Sequence, residues 1–282
     1  MAKVEALVAR AERSQEGSGT RDLREPWRSI SRWIGRFMSG YHILVASALL
    51  ILLPVAHNAI HLCFALVLAF MLYPAKRKQS DTVSVVDLAW IVLSLAMAIY
   101  TFYQQQFQQE AFLYRAGETS NLEIFLGVVA IAAVVEASRR VMGWPLPVIA
   151  LAFLLYGYVS RYLPGPLHTA GFSFERIINH LFVSGGGIWG TVLSVSARDV
   201  FMFVLFASFF AFSGVGETLV RLAVALFGAV RGGPAKVSIV ASALFGTISG
   251  SAVANILTTG SFTIPMMKGL GYAPHFAGAV EA

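Results

Sequence analysis

The chain has 282 residues, of which 57% are hydrophobic and only 13% charged, and its mean hydropathy is +0.69. A soluble domain carries about 25% charged residues, so this composition excludes an ordinary water-soluble protein and implies an integral membrane protein. The net charge of +6 is no nucleic-acid signal, because the basic residues cluster between apolar stretches, as in loops held on the cytoplasmic side of a bilayer. The lipid bilayer is the expected surrounding, and no nucleic-acid partner is expected. The single cysteine, Cys63, excludes an internal disulfide and reads as a small buried hydrophobe. About forty mostly polar residues precede the first apolar run, which does not fit a cleavable signal peptide.

Residues 1–40 hold eight Lys/Arg against five Asp/Glu. Arg24, Arg28, Arg32 and Arg36 recur every four residues, opposite Trp27, Ile30, Ile34 and Phe37. This spacing predicts a cytoplasmic basic arm ending in an interfacial amphipathic helix. Tyr41 to Tyr73 is apolar except for Pro54 to His61. A single helix through it would bury two histidines and an asparagine at mid-membrane, so two spans with a turn near His57-Asn58 are expected, returning the chain to Lys76-Arg77-Lys78. His57 and His61 lack an evident third metal ligand. A third span runs from Val86 to Tyr103. A fourth, Leu122 to Ser138, closes on Arg139-Arg140, with Glu123 and Glu136 as interfacial charges. Residues 41–140 thus form a four-span unit with both ends on one side.

The remainder, 141–282, opens with a fifth span from Trp144 to about Ser160, shaped by prolines at its entry. Phe174 to Val183 is amphipathic and too short to span. Gly185-Gly186-Gly187 breaks it, without the strand and lysine of a phosphate loop. A sixth apolar segment covers Asp199 to Gly214. Glu217 to Val230 reads as a helix that cradles the next segment of chain. From Gly232 to Tyr272 two arms, each too short to cross a bilayer of about 20 residues, flank a polar centre. Lys236 and Lys268 mark their ends. Non-helical backbone at membrane depth survives only within protein or beside a water-filled cavity, so this stretch reads as a buried re-entrant hairpin. The fold expected is an all-α polytopic membrane protein with about six transmembrane helices, interfacial helices and one re-entrant helical hairpin.

In the first arm Ser238, Ser242, Gly246 and Gly250 recur every four residues, a small-residue stripe that lets helices approach closely. Packing accounts for the first three. Thr247, Ser249, Ser251 and Asn255 concentrate oxygen ligands at the tip, a set suited to a hard cation such as Na⁺. Broken helices of secondary transporters offer such groups to cations, and their N-termini to anions. With no carboxylate between Glu217 and Glu281, a proton relay is disfavoured.

These residues carry a family resemblance. The stretch GTISGSAVANILTTGSFTIPMMKGLGYAPHFAGAV, residues 246–280, resembles the first hairpin region of the large membrane subunit of TRAP (tripartite ATP-independent periplasmic) transporters. The likeness runs from about residue 144 to the end. The four-span unit resembles the small membrane subunit in position and span count, so the whole looks like a fused permease of the type accompanying TAXI-class binding proteins. The resemblance implies a Na⁺-coupled symporter of the bacterial inner membrane, with its N-terminus cytoplasmic and an elevator mechanism. It would import small organic anions, carboxylates and dicarboxylates among them, handed over by a periplasmic TAXI-type binding protein. It implies substrate and ion contacts at Ser249, Gly250, Ser251, Asn255, Thr258 and Thr259, with Na⁺ at Ser249, Gly250 and Ser251, and no other cofactor. Family members carry a second, inverted hairpin, so the sequence reads as an N-terminal fragment of a longer frame.

A channel with a re-entrant pore explains the hairpin equally well on physics alone. An enzyme does not fit: His42, His57, His61, His168, His180 and His275 are scattered, no HExxH occurs, and no paired acids share a plausible depth.

Overall fold

A computed structural model describes residues 20–75, 81–110, 118–230, 232–249 and 252–281. All regular structure among them is helical. The chain divides into two compact units, one covering residues 19–200 and the other beginning at Phe201.

The first unit is built on α1 (Trp27–Ala46), α2 (Pro54–Leu72), α3 (Val85–Phe107), α4 (Asn121–Met142) and α5 (Pro145–Val159). Four stretches among the described residues are long and apolar enough to cross a membrane: α2, α3, α4, and α5 extended to Tyr162. The protein is therefore a multi-pass, all-α membrane protein. Two of the expected spans do not form one long regular helix among the described residues: the first is interrupted by a bend at Ala48, whose φ is +58°, and the sixth is divided between a π-helical turn over Ser196–Val200 and a helix of 12 residues.

The turn expected at His57-Asn58 lies instead at residues 47–53, and both residues sit inside α2. Proline fixes the place. Pro54 has no amide hydrogen and fits only the first helical turn, so the break falls immediately before it. The polar residues then occupy the opening turns of α2 and are paired. Asn58 donates to Trp189 O at 2.8 Å and Ser194 Oγ at 2.7 Å. His57 Nδ1 lies 2.7 Å from the Tyr41 hydroxyl, and His61 Nδ1 lies 2.9 Å from His42 Nε2.

Helices α3 and α4 each open on a serine whose side chain takes an amide of the first turn, while the acid three residues on caps the serine's own amide. This reciprocal box satisfies two otherwise orphaned donors. Glu123, read from the sequence as an interfacial charge, lies in the first turn of α4 and is fully buried. It also accepts from the Tyr100 hydroxyl at 2.9 Å. At the opposite end of α4, Arg140 reaches Asp87 Oδ1 at 2.6 Å and Glu136 at 2.7 Å, and Arg21 reaches Asp87 Oδ2 at 2.7 Å. Arg21, Asp87 and Arg140 have side chains at most 2% exposed. One end of the bundle is thus clamped by buried, hydrogen-bonded charge.

The core between these ends is closely packed. Ala130, Ala133 and Ala137 of α4 face Phe70, Met97, Phe182 and Trp189. The amphipathic stretch forms α6 (Phe174–Ile178) and a π-helical turn over Asn179–Val183. Its apolar side packs on α4, where a β-carbon at Gly127 would come within 2.6 Å of Ile178 Cγ2. The glycine run after it allows a tight reversal, since a β-carbon at Gly187 would strike the Leu181 backbone at 2.3 Å. A short helix, α7 (Thr191–Val195), comes next.

The second unit holds α8 (Phe201–Phe212), α9 (Val215–Phe227), α10 (Gly233–Ser249), α11 (Ala252–Gly269) and α12 (Pro274–Glu281). Val220 and Ala223 of α9 pack against Val237 and Ala241 of α10, so α9 supports the hairpin formed by α10 and α11.

Candidate functional site

Helices α10 and α11 have 17 and 18 residues, about 26 Å each at 1.5 Å per residue. The small-residue stripe of α10 faces α11. Asn255 Nδ2 donates across the hairpin to Ser242 O and Ser242 Oγ, both at 3.0 Å. Gly246 makes room for that amide, because a β-carbon there would lie 3.3 Å from Asn255 Nδ2. The two acceptors fix the amide's orientation: a flipped group would set oxygen against a carbonyl. Its other end, Asn255 Oδ1, is buried and has no partner among the described residues. A buried acceptor without a donor costs about 1–3 kcal/mol, and an arriving cation or donor would relieve that cost.

Along α11 the residues Asn255, Thr259, Thr263 and Met267 recur every four positions, and the last three are fully buried. Here the fold adds a group that sequence reasoning missed. Glu281 of α12, only 4% exposed, accepts from Ser238 on one arm and from Thr259 and Thr263 on the other, the last at 2.5 Å. Gly260 provides the notch, since a β-carbon there would stand 3.1 Å from Glu281 Cγ. The Thr259 hydroxyl also lies 2.8 Å from Asn255 O. It has one hydrogen, so it serves either the carboxylate or the carbonyl of the tip residue. Pro265, inside α11, has no amide hydrogen to give the Ser261 carbonyl.

The expected site residues separate accordingly. Asn255 bridges the arms with one acceptor to spare. Thr259 lies deeper and is engaged with Glu281. Ser249 and Thr258 lie in α10 and α11, their side chains outside the described set, and Gly250 and Ser251 also fall outside the described residues. The absence of a carboxylate between Glu217 and Glu281 does not exclude a proton relay, because Glu281 itself folds back onto the hairpin. Its contact with Ser238 spans 43 residues. The signal was present as the four-residue repeat Asn255, Thr259, Thr263, a polar stripe that needs a polar partner.

Elsewhere among the described residues no three His, Cys, Asp or Glu side chains are placed to hold a metal. His42, His57 and His61 do converge, with ring centroids 5.1–5.3 Å apart, yet they engage one another, Tyr41 and Ser196.

Residues 129–282 match the family model described as the tripartite ATP-independent periplasmic transporter, DctM component. The chain belongs to this family. It is 38% identical over 78 residues to the C4-dicarboxylate TRAP transporter large permease protein DctM of Vibrio cholerae, covering 28% of this chain and 17% of that protein. The protein of the same name from Rhodobacter capsulatus is 32% identical over 78 residues, 28% of this chain and 18% of the relative. The isethionate TRAP transporter permease protein DctMQ of Oleidesulfovibrio alaskensis is 36% identical over 80 residues, 28% of this chain and 13% of the relative. The chain thus matches less than a fifth of the length of these relatives. No solved structure matches it.

Proposed function

We propose that the chain is part of the permease of a secondary transporter that imports small organic anions across the inner membrane, drawing on a Na⁺ gradient. The observation that carries this reading is Asn255. It ties the two arms of the hairpin together, and its buried Oδ1 near the tip has no partner among the described residues. That oxygen is of the ligand type a hard cation takes, and the sequence at 249–251 is rich in the same oxygen-bearing groups. The nearby N-terminus of α11 favours a substrate carboxylate. Family membership supports delivery by a periplasmic binding protein, which we take to be of the TAXI type. The relatives named for C4-dicarboxylates and isethionate support an anionic substrate. The hairpin-bearing unit would move in an elevator-type cycle, and the arginine-rich end of the first unit would face the cytoplasm, as the positive-inside rule prefers.

The test is uptake by the full-length transporter, reconstituted in liposomes with its binding protein. Saturable uptake driven by Na⁺ and abolished when K⁺ replaces it is the expected result, with Asn255→Ala and Ser251→Ala each reducing it at least tenfold. Uptake indifferent to Na⁺ would overturn the ion assignment, and non-saturating flux without the binding protein would favour a channel.

Glu281 favours one second reading, in which a proton carried on this carboxylate is the coupling ion. A pH gradient driving uptake without Na⁺, and lost in Glu281→Gln, would select it.

A further inference from the structure

Three histidines tie α1 and α2 to the π-helical turn Ser196–Val200, and the bonds among them run in one direction. His42 Nδ1 lies 2.7 Å from Met38 O, a carbonyl that can only accept, so this nitrogen carries a hydrogen. In the uncharged ring Nε2 is then bare, and it takes the hydrogen of His61 Nδ1 at 2.9 Å. His61 Nε2 is left to accept from the Ser196 hydroxyl at 3.3 Å. His57 is held alike: its Nδ1 lies 2.7 Å from the Tyr41 hydroxyl, and the ring also bonds the Ala197 backbone. All three histidines are at most 5% exposed.

The two hydroxyls let this chain of bonds receive a proton. One taken from water adds to the lone pair of His61 Nε2, and Ser196 turns from donor to acceptor. Tyr41 can turn in the same way for His57 Nδ1. Either proton brings charge into a crowded place. The ring centroids of His57 and His61 lie 5.3 and 5.1 Å from that of His42. The charges acting on His57 and His61 are those the neighbouring rings would carry and, on His57, that of Arg198, all positive. Like charges so close repel even at a protein's effective dielectric. Arg198 and Asp199 are exposed on the turn, and Ser196 is half-buried. Of the other segments packed here, α7 carries no titratable group. Tyr100 of α3 and Glu123 of α4 are bonded to each other, and Cys63 of α2 lines an apolar groove.

We infer that this cluster is a pH-sensitive latch: with its rings neutral it holds the turn Ser196–Val200 on α2 and the end of α1, and with protons on His57 and His61 it lets the turn go. Imidazole is the side chain whose ordinary charge change falls between about pH 5 and 8. The turn is the last part of the first unit and leads into Phe201. The latch is separate from the hairpin and does not depend on the transport reading.

The test is hydrogen exchange of the chain in lipid nanodiscs, read by mass spectrometry from about pH 8 to about pH 5 and corrected for the intrinsic pH dependence of exchange. Protection of residues 191–200 is expected to fall at least tenfold across that range, while protection of Ala130–Ala137 in α4 stays constant. Arg198→Gln, an exposed substitution that removes one of the repelling charges, should make the fall smaller. The double variant H57Q/H61Q, which keeps hydrogen-bonding groups without titratable rings, should abolish it. If that variant is already unprotected at the higher pH, nitrogen-15 spectra of histidine-labelled wild type decide: imidazolium signals should rise in step with exchange of the turn. Constant protection of residues 191–200 in the wild type would overturn the proposal. So would a fall shared equally by α4, a fall that persists in the double variant, or rings that stay neutral while the turn opens.

Discussion

Asp87 shows what one side chain does for the first unit. It is fully buried and takes Arg21 on one oxygen and Arg140 on the other. Removing one partner of a buried pair strands the other charge, at a cost of about 3–5 kcal/mol. Asp87→Asn should therefore lower the midpoint of thermal unfolding in detergent by that free energy, whereas Asp22→Asn, in an exposed pair, should change it by less than about 1 kcal/mol. Gly127 gives a second, independent test. A β-carbon there would overlap Ile178 Cγ2 at 2.6 Å, and overpacking costs about 1–3 kcal/mol. Gly127→Ala should destabilise the chain by that amount, and Ile178→Ala in the same chain should recover part of it.

Helices and their ends are legible in the sequence to different degrees. The spans that form α3 and α4 can be placed within a few residues, because a continuous apolar run marks each and Arg139-Arg140 close the second. The capping boxes Ser84/Asp87 and Ser120/Glu123 are equally written there as Ser-x-x-acid, yet Glu123 reads only as an interfacial charge. Nothing local reveals that Tyr100 closes over Glu123. The break before Pro54 is misplaced to His57-Asn58 when buried histidines are weighed without their partners, and the partners of this polar turn lie up to 136 residues away. In the hairpin, the facing of Ser238, Ser242 and Gly246 is implied by their spacing, but the closure by Glu281 is not. That closure has a measurable strength. A typical hydrogen bond contributes about 0.5–1.5 kcal/mol, and the hydroxyls of Ser238, Thr259 and Thr263 all lie within reach of this carboxyl group, the two threonines sharing their hydrogens with backbone carbonyls. Glu281→Ala should raise amide exchange in α10 and α11 by at least tenfold, while Glu281→Gln, which keeps an acceptor and the volume, should raise it less.

At the scale of the whole molecule, the sequence conveys class and family more fully than site. Composition alone places the chain in a membrane, and the residues around the hairpin tip carry its kinship with TRAP large subunits. The tip's chemistry depends on how two arms and a further helix meet, which no single window contains. The coupling reading is tested at this same scale: with Na⁺ exchanged for K⁺ on both faces of reconstituted vesicles, uptake should fall to background while binding-protein affinity for the anion stays unchanged.

The charge clamp of the first unit also has a consequence for biogenesis. Arg21 emerges from the ribosome first, Asp87 comes 66 residues later, and Arg140 a further 53 after that. At synthesis rates of about 5–20 residues per second, the wait is on the order of ten seconds. During that interval Arg21 and then Asp87 must remain hydrated or be held by the insertion machinery, because neither tolerates the bilayer unpaired. Arg21 finds its partners once the start of α3 is made, since Phe70, Thr82 and Asp87 all precede α4, and Arg140 closes the clamp last.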